Sequence, residues 1–318
     1  MLPWLGWLFL LAALTGCDGP GRPEIPLRPE ADPVPVALGG DTLSRPLVLA
    51  GVGFDAPETV LYDERADVYL VSNVGGGPWA EDGDGFVSRV SPDGRVLALK
   101  WIDGAAEGVQ LDGPKGMAFR GDSLLVADIE ALRVFDRRTG RFLGSHAIMD
   151  PGLNDVAVGP DGTVWVSSLG PGPDGGGTEP DSTAPVGGVY RLASGTLALW
   201  ASGPRLARPD GIEADGAGLL VAPFASDVVY RLGRDGEPRP LARMPAGRLD
   251  GLLLLPDGSL LVSSWQGRAV YRLDRAGGVA VVAAGLESPA QIGWDRRRGR
   301  LLVPLLQRNE VRIHPAVR

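Results

Sequence analysis

The segment LDGLLLLPDGSLLVSS, residues 249 to 264, is two apolar runs joined by Pro-Asp-Gly, with a polar residue near the start of the first run and at the end of the second. Runs of four to six aliphatic or β-branched residues cut by a tight turn read as a strand hairpin rather than a helix. The same phrase recurs as PETVLYDERADVYLVSN from Pro57, PKGMAFRGDSLLVAD from Pro114 and LNDVAVGPDGTVWVSS from Leu153. It returns as RPDGIEADGAGLLVAP from Arg208 and SPAQIGWDRRRGRLLVP from Ser288. Three spacings are close to forty residues and two are longer, a period that belongs to propeller blades. Each copy continues into a third strand: GFVSRVS, ALRVFDR, GGVYRLA, DVVYRLG, RAVYRLD and NEVRIHP. A fourth strand follows in the first five copies only, and PLVLAG, from Pro46 to Gly51, stands where the sixth copy needs one. The expectation is an all-β, six-bladed β-propeller of four-stranded antiparallel blades. The N-terminal strand closes its ring and removes an open sheet edge.

Composition fits one such domain over residues 46–318, because all-β folds run past the usual domain length without splitting. Abundant Gly and Pro supply the hairpin turns. The net charge of -8 is spread over interspersed acids and bases, so there is neither a nucleic-acid stripe nor a polybasic membrane patch. Nucleic acid is excluded as a partner, and a monomer is expected. One cysteine excludes disulfides.

In a propeller the first strands line the central channel, and the residues that open them converge on one face. Here they are Glu58, Lys115, Asn154, Asp210, Asp250 and Gln291. Unpaired buried carboxylates are costly, so such a ring holds a cation, pairs with a base, or has raised pKa values. Oxygen donors without His or Cys favour a hard divalent ion: Ca²⁺ first, then Mg²⁺, with Mn²⁺ or Zn²⁺ as further candidates. The ends of the second strands, among them Asn73, Asp128 and Trp265, form a second ring around the mouth. Asn73, Asp128, Trp265, Lys115 and Gln291 are the candidate ligand-binding residues. Asp93, Asp161 and Asp257 lie in Pro-Asp-Gly turns between strands; turn capping is also an available reading for Asp210 and Asp250. Long insertions at 73–86 and 169–188 join second to third strands, where loops can cover the channel mouth. Trp79 in the first either walls a ligand site or packs its own loop down. The two histidines, His146 and His314, are not at first-strand starts, which argues against a histidine mechanism.

At the first-strand residues the chain resembles the SMP-30/gluconolactonase/LRE-like family, over roughly residues 46 to 318. The resemblance implies a metal held by a Glu of blade one, an Asn of blade three, an Asn of blade four and an Asp of blade five. The matching residues are Glu58, Asn154, Asp210 and Asp250, with Asp210 replacing an amide. It further implies lactone hydrolysis, with Asp250 at the position of the family's general base and Asp210 as the alternative. The competing expectation is a non-catalytic propeller of NHL-like type that binds a small molecule or a protein.

The opening seventeen residues, MLPWLGWLFLLAALTGC, carry an apolar core too short to span a bilayer as an ordinary helix. Ending in Leu14-Thr15-Gly16-Cys17, they resemble a bacterial lipoprotein signal whose Cys17 would carry the lipid. An ordinary leader with a chance cysteine is the alternative. Residues 18–45 are rich in Pro, Gly and charge and read as an extended tether. Localisation is expected at the cell envelope on the periplasmic side, attached only through the lipid, with Asp18 favouring the inner membrane.

Overall fold

The structure, a computed structural model, describes residues 43–148, 152–172 and 187–316. Cys17, the tether up to residue 42 and most of the blade-three insertion lie outside the described residues. Six four-stranded antiparallel sheets are arranged as blades. Their innermost strands are Pro57–Asp63, Met117–Arg120, Leu153–Val158, Pro209–Ala214, Leu249–Leu254 and Gly293–Asp295. Among the described residues there is no α-helix, only two short 3-10 turns, Pro204–Leu206 and Leu306–Arg308.

The last blade is built as the strand count requires. Leu47–Ala50 pairs antiparallel with Glu310–Ala316, with Leu49 opposite Val311, and the order runs inward through Arg300–Leu305 to Gly293–Asp295. The outer strand thus comes from one end of the domain and the other three from its opposite end. Polar contacts, buried to part-buried, also tie this last blade to the first. The Tyr69 hydroxyl donates to Asp295 at 2.7 Å, and Arg298 reaches both Asp67 (2.7 Å) and Asp295 (3.0 Å).

Blades pack face to face, so both faces of a middle strand are apolar. Val68, Leu70 and Val87 of blade one bury against Met117, Leu124, Val126 and Phe135 of blade two. On its other face, blade one places Val60, Tyr62, Tyr69 and Val71 against Leu302, Val311 and Ile313 of blade six. Burial on two sides is why the strands read as unbroken apolar runs rather than as strict alternation.

Around the axis the innermost strands approach backbone to backbone. A Cβ on Gly211 would lie 2.1 Å from the Asp250 carbonyl oxygen, and one on Gly251 would lie 2.6 Å from the Ile292 nitrogen. Neither glycine has positive φ. The Asp-Gly pairs at 210–211 and 250–251 therefore serve close packing at the channel. By contrast, Asp161 and Asp257 accept backbone N–H groups two residues on, at 3.0 and 2.9 Å, as turn residues do.

Candidate functional site

Where the inner strands begin, their pairing slips. Register shifts fall between Pro57 and Val60, Leu153 and Val156, Pro209 and Gly211, and Leu249 and Leu252. A β-bulge leaves a residue outside the ladder and re-aims its side chain; the residues inside these four slips include Glu58, Asn154, Asp210 and Asp250. The freed backbone groups are met by serines near the ends of the second strands. Ser72 accepts from the Thr59 N–H (2.9 Å), Ser167 from Asp155 (2.9 Å) and Ser263 from Gly251 (2.6 Å). Ser167 and Ser263 also donate onward to the carbonyls of Asp210 (2.6 Å) and Ala290 (3.0 Å) in the next blade. Sequence reading missed these serines, whose signal is the Ser in VSN and VSS.

Glu58, Lys115, Asn154, Asp210 and Asp250 line one cavity of about 110 Å³, walled by Trp79, Phe224 and Trp265. All five are buried. At roughly 30 Å³ per water, the space holds three to four waters or their equivalent. The Asn154 amide donates to Asp210. The Trp265 indole N–H donates to Asp250 Oδ2 at 2.8 Å, and Trp265 meets Phe224 edge-on at 5.5 Å. Asp250 Oδ1 is buried with no hydrogen-bond partner. The Thr59 hydroxyl donates to Glu58 at 2.7 Å. Lys115 Nζ donates to the Gly113 carbonyl at 3.1 Å and stands 5.3 Å from the Trp79 ring centre, a cation–π distance. Trp79 therefore contributes a wall of the cavity.

Charge is the dominant property of this space. Burial pushes Glu58 up to about 7, opposed by the Thr59 hydrogen bond and by Lys115. Asp210 is raised well above the usual carboxylate range by burial, then by Asp250, Glu58 and Asp155; Asp250 is raised by burial and by Glu58. Burial lowers Lys115, while carboxylates including Glu58 and Asp210 oppose that. With three carboxylates ionised against one ammonium, the cavity carries two negative charges in excess. Hard oxygen donors, an unpartnered Asp250 oxygen and two excess negative charges fit a divalent cation of the calcium or magnesium type.

The remaining candidates are placed otherwise. Gln291 turns its amide onto the backbone of Leu252, accepting from its N–H at 3.1 Å, and lies outside the cavity lining. Asn73 is fully buried: it accepts from the Asp55 N–H (3.1 Å) and donates to the Val71 carbonyl (3.0 Å) and Ser88 (3.1 Å). Asp128, also fully buried, accepts from the N–H groups of Asp112 and Gly113 and from Arg133. His146 contacts the Gly195 carbonyl on the outer edge, and His314, which burial lowers to about 4, lies in a third strand. One carboxylate trio among the described residues, Asp112, Asp128 and Glu130, has oxygens all within 4.8 Å of one another, and Arg133 pairs with each of its members.

Fold and site together define a six-bladed propeller with an acidic, oxygen-donor cavity at one mouth of its channel. The family model for the SMP-30/gluconolactonase/LRE-like region matches residues 75–297, and the chain belongs to this family. A comparison with curated protein sequences finds no match. Among solved structures, a gluconolactonase from Xanthomonas campestris is 19% identical, with 91% of this chain and 98% of that one covered at a TM-score of 0.60. Regucalcin from Agrobacterium tumefaciens, a calcium-binding protein, is 16% identical over 82% and 91%, also at 0.60. Virginiamycin B lyase from Staphylococcus aureus is 10% identical over 85% and 99%, at 0.58. These likenesses show the shared fold.

Proposed function

We propose that the chain is a divalent-cation-dependent hydrolase of lactones or similar small esters. We further propose that it is monomeric and tethered through a lipid on Cys17 to the periplasmic face of a bacterial membrane, the inner one by virtue of Asp18. The observation that carries the hydrolase reading is the charge balance of the cavity, three buried carboxylates against Lys115. Family membership and the gluconolactonase and calcium-binding relatives support it.

Glu58, Asn154, Asp210 and Asp250 would hold the cation, Ca²⁺ before Mg²⁺, Mn²⁺ or Zn²⁺. A bound divalent ion supplies a Lewis acid for a carbonyl oxygen and lowers the pKa of water. Trp265 fixes one oxygen of Asp250 and leaves Oδ1, which has no hydrogen-bond partner, to accept a proton from water. Asp210 is the alternative base. Water oxygen bonds to the acyl carbon, the ring C–O bond breaks, and the proton taken by the carboxylate passes to the leaving alkoxide, giving a hydroxy acid. Lys115 offsets one carboxylate and offers N–H donors to ligand oxygens, while Trp79, Phe224 and Trp265 provide apolar walls.

The ammonium inside the same ring favours a second reading, a non-catalytic NHL-like module that binds a small molecule or a protein. Calorimetric titration of chelator-stripped protein with Ca²⁺, Mg²⁺, Mn²⁺ and Zn²⁺ separates the two. One site lost in Glu58→Gln, with lactone hydrolysis that falls at least about a hundredfold in Asp250→Asn, is the expected result. No binding by any ion would remove the hydrolase reading; unchanged hydrolysis in Asp250→Asn would remove Asp250 from the mechanism and leave Asp210 as the base.

A further inference from the structure

Only two of the chain's 31 basic residues are lysines, Lys100 and Lys115, and one of them is buried in the cavity. A lysine stem is flexible and its ammonium strongly hydrated, so holding it in a buried site needs a built support. Directly, Lys115 Nζ has the Gly113 carbonyl at 3.1 Å and the Trp79 ring. The support lies one layer behind. The peptide that carries this carbonyl follows two N–H groups that both point at Asp128: Gly113 N–H at 2.7 Å from Oδ1 and Asp112 N–H at 3.1 Å from Oδ2. Asp128 ends the second strand of blade two and takes a further bond from Arg133 Nε at 2.8 Å. The same guanidinium reaches Gln110 and Asp112 in the loop, each at 3.3 Å, and Glu130. One buried arginine thus ties the 110–112 stretch of the loop to the strand end. The Lys115 N–H bonded to the Ala127 carbonyl at 2.8 Å fixes the backbone register.

We propose that Asp128 and Arg133 are positioning residues that hold the Lys115 ammonium inside the acidic cavity, where it serves as a tethered counter-charge beside the cation. The placement of Lys115 follows from the contacts just given; its effect on a cation rests on the hydrolase reading. An ammonium facing Glu58 and Asp210 repels a divalent ion, so its departure tightens cation binding.

The test uses the full chain with acetic anhydride as lysine probe, Lys100 being the internal reference because it is half-exposed. In Arg133→Met and in the near-isosteric Asp128→Asn, acylation of Lys115 relative to Lys100 is expected to rise roughly tenfold, the factor for a local opening made easier by about one decade. Calcium affinity, by calorimetry, is expected to rise by roughly tenfold in both and in Lys115→Met, as a nearby like charge is removed. Arg133→Lys restores part of the parent behaviour. A variant that loses thermal stability while its Lys115 acylation ratio equals the parent's would overturn the proposal, leaving only a structural role. Should Arg133→Met not fold, Asp128→Asn decides. Failure of the parent to bind any cation, with the acylation ratio raised in the variants, would remove the hydrolase reading and keep the positioning one.

Discussion

The cavity's carboxylates make the metal-free protein sensitive to alkali. Glu58 moves from an ordinary value of 4.5 to about 7 on folding, chiefly through burial. A carboxyl group with a raised folded-state pKa binds its proton more tightly in the native chain. Its stabilising contribution is complete below pH 4.5 and is lost as pH rises through 7. At about 1.4 kcal/mol per pH unit, the difference comes to about 3 kcal/mol for Glu58 alone. Asp210 and Asp250, also raised, act in the same direction. For a domain of this size that is roughly 6 to 12 °C in thermal midpoint. Thermal unfolding in chelator, at pH 5 and at pH 8, reads it directly. The expected result is a lower midpoint at pH 8, a smaller drop in Glu58→Gln, and recovery on adding Ca²⁺, which replaces the protons as counter-charge. His314, which burial lowers, works in the opposite direction and Glu213, outside the cavity, in the same one, so the decisive comparison is with the variant. A pH-dependent drop as large in Glu58→Gln as in the parent would refute the claim that Glu58 is desolvated in the cavity.

Three other outcomes test the frame and the site. Gly211→Ala places a methyl 2.1 Å from a backbone oxygen of the next blade, and is expected to destabilise by about 3 kcal/mol or more, measured by chemical denaturation. Tyr69→Phe removes the buried bond to Asp295 between the first and last blades and should cost about 1–3 kcal/mol. Calorimetry on Asp210→Asn should show weaker cation binding and on Lys115→Met tighter binding, with the double variant near the parent; equal shifts of one sign would show that the two charges do not offset.

Strand order and ring closure were legible because a blade hairpin is a local event: PLVLAG could be assigned to the last sheet by counting strands. Convergence of the site followed from the same count, and Glu58, Lys115, Asn154, Asp210 and Asp250 do share one cavity. Gln291 does not, because the sixth inner strand is only Gly293–Asp295 and the amide ahead of it is drawn to the Leu252 backbone. Asn73 and Asp128 stand at second-strand ends as expected, yet their polar atoms are taken up by loop and strand N–H groups and by Arg133. Which of several nearby acids meets one arginine depends on side-chain packing across a turn, and strand periodicity carries no information about that.

Within the ring, Lys115 also compensates the acid that Asp210 adds. The family pattern of Glu, Asn, Asn and Asp carries two negative charges, enough for one divalent cation. Here Asp210 takes the place of an amide and would leave three, a costly excess in a buried cavity. Lys115 stands in the same cavity and faces Asp210 among its nearest charges, returning the total to two. On the proposed reading the acid at 210 and the ammonium of Lys115 offset each other, so the net charge that the cavity would offer a cation stays at two while both groups remain to exchange protons with a ligand or grip it. A bare amide at 210 offers no second acid, so on the proposed reading Asp210, with Lys115 beside it in the cavity, is where this chain's chemistry would depart from the pattern the resemblance implies.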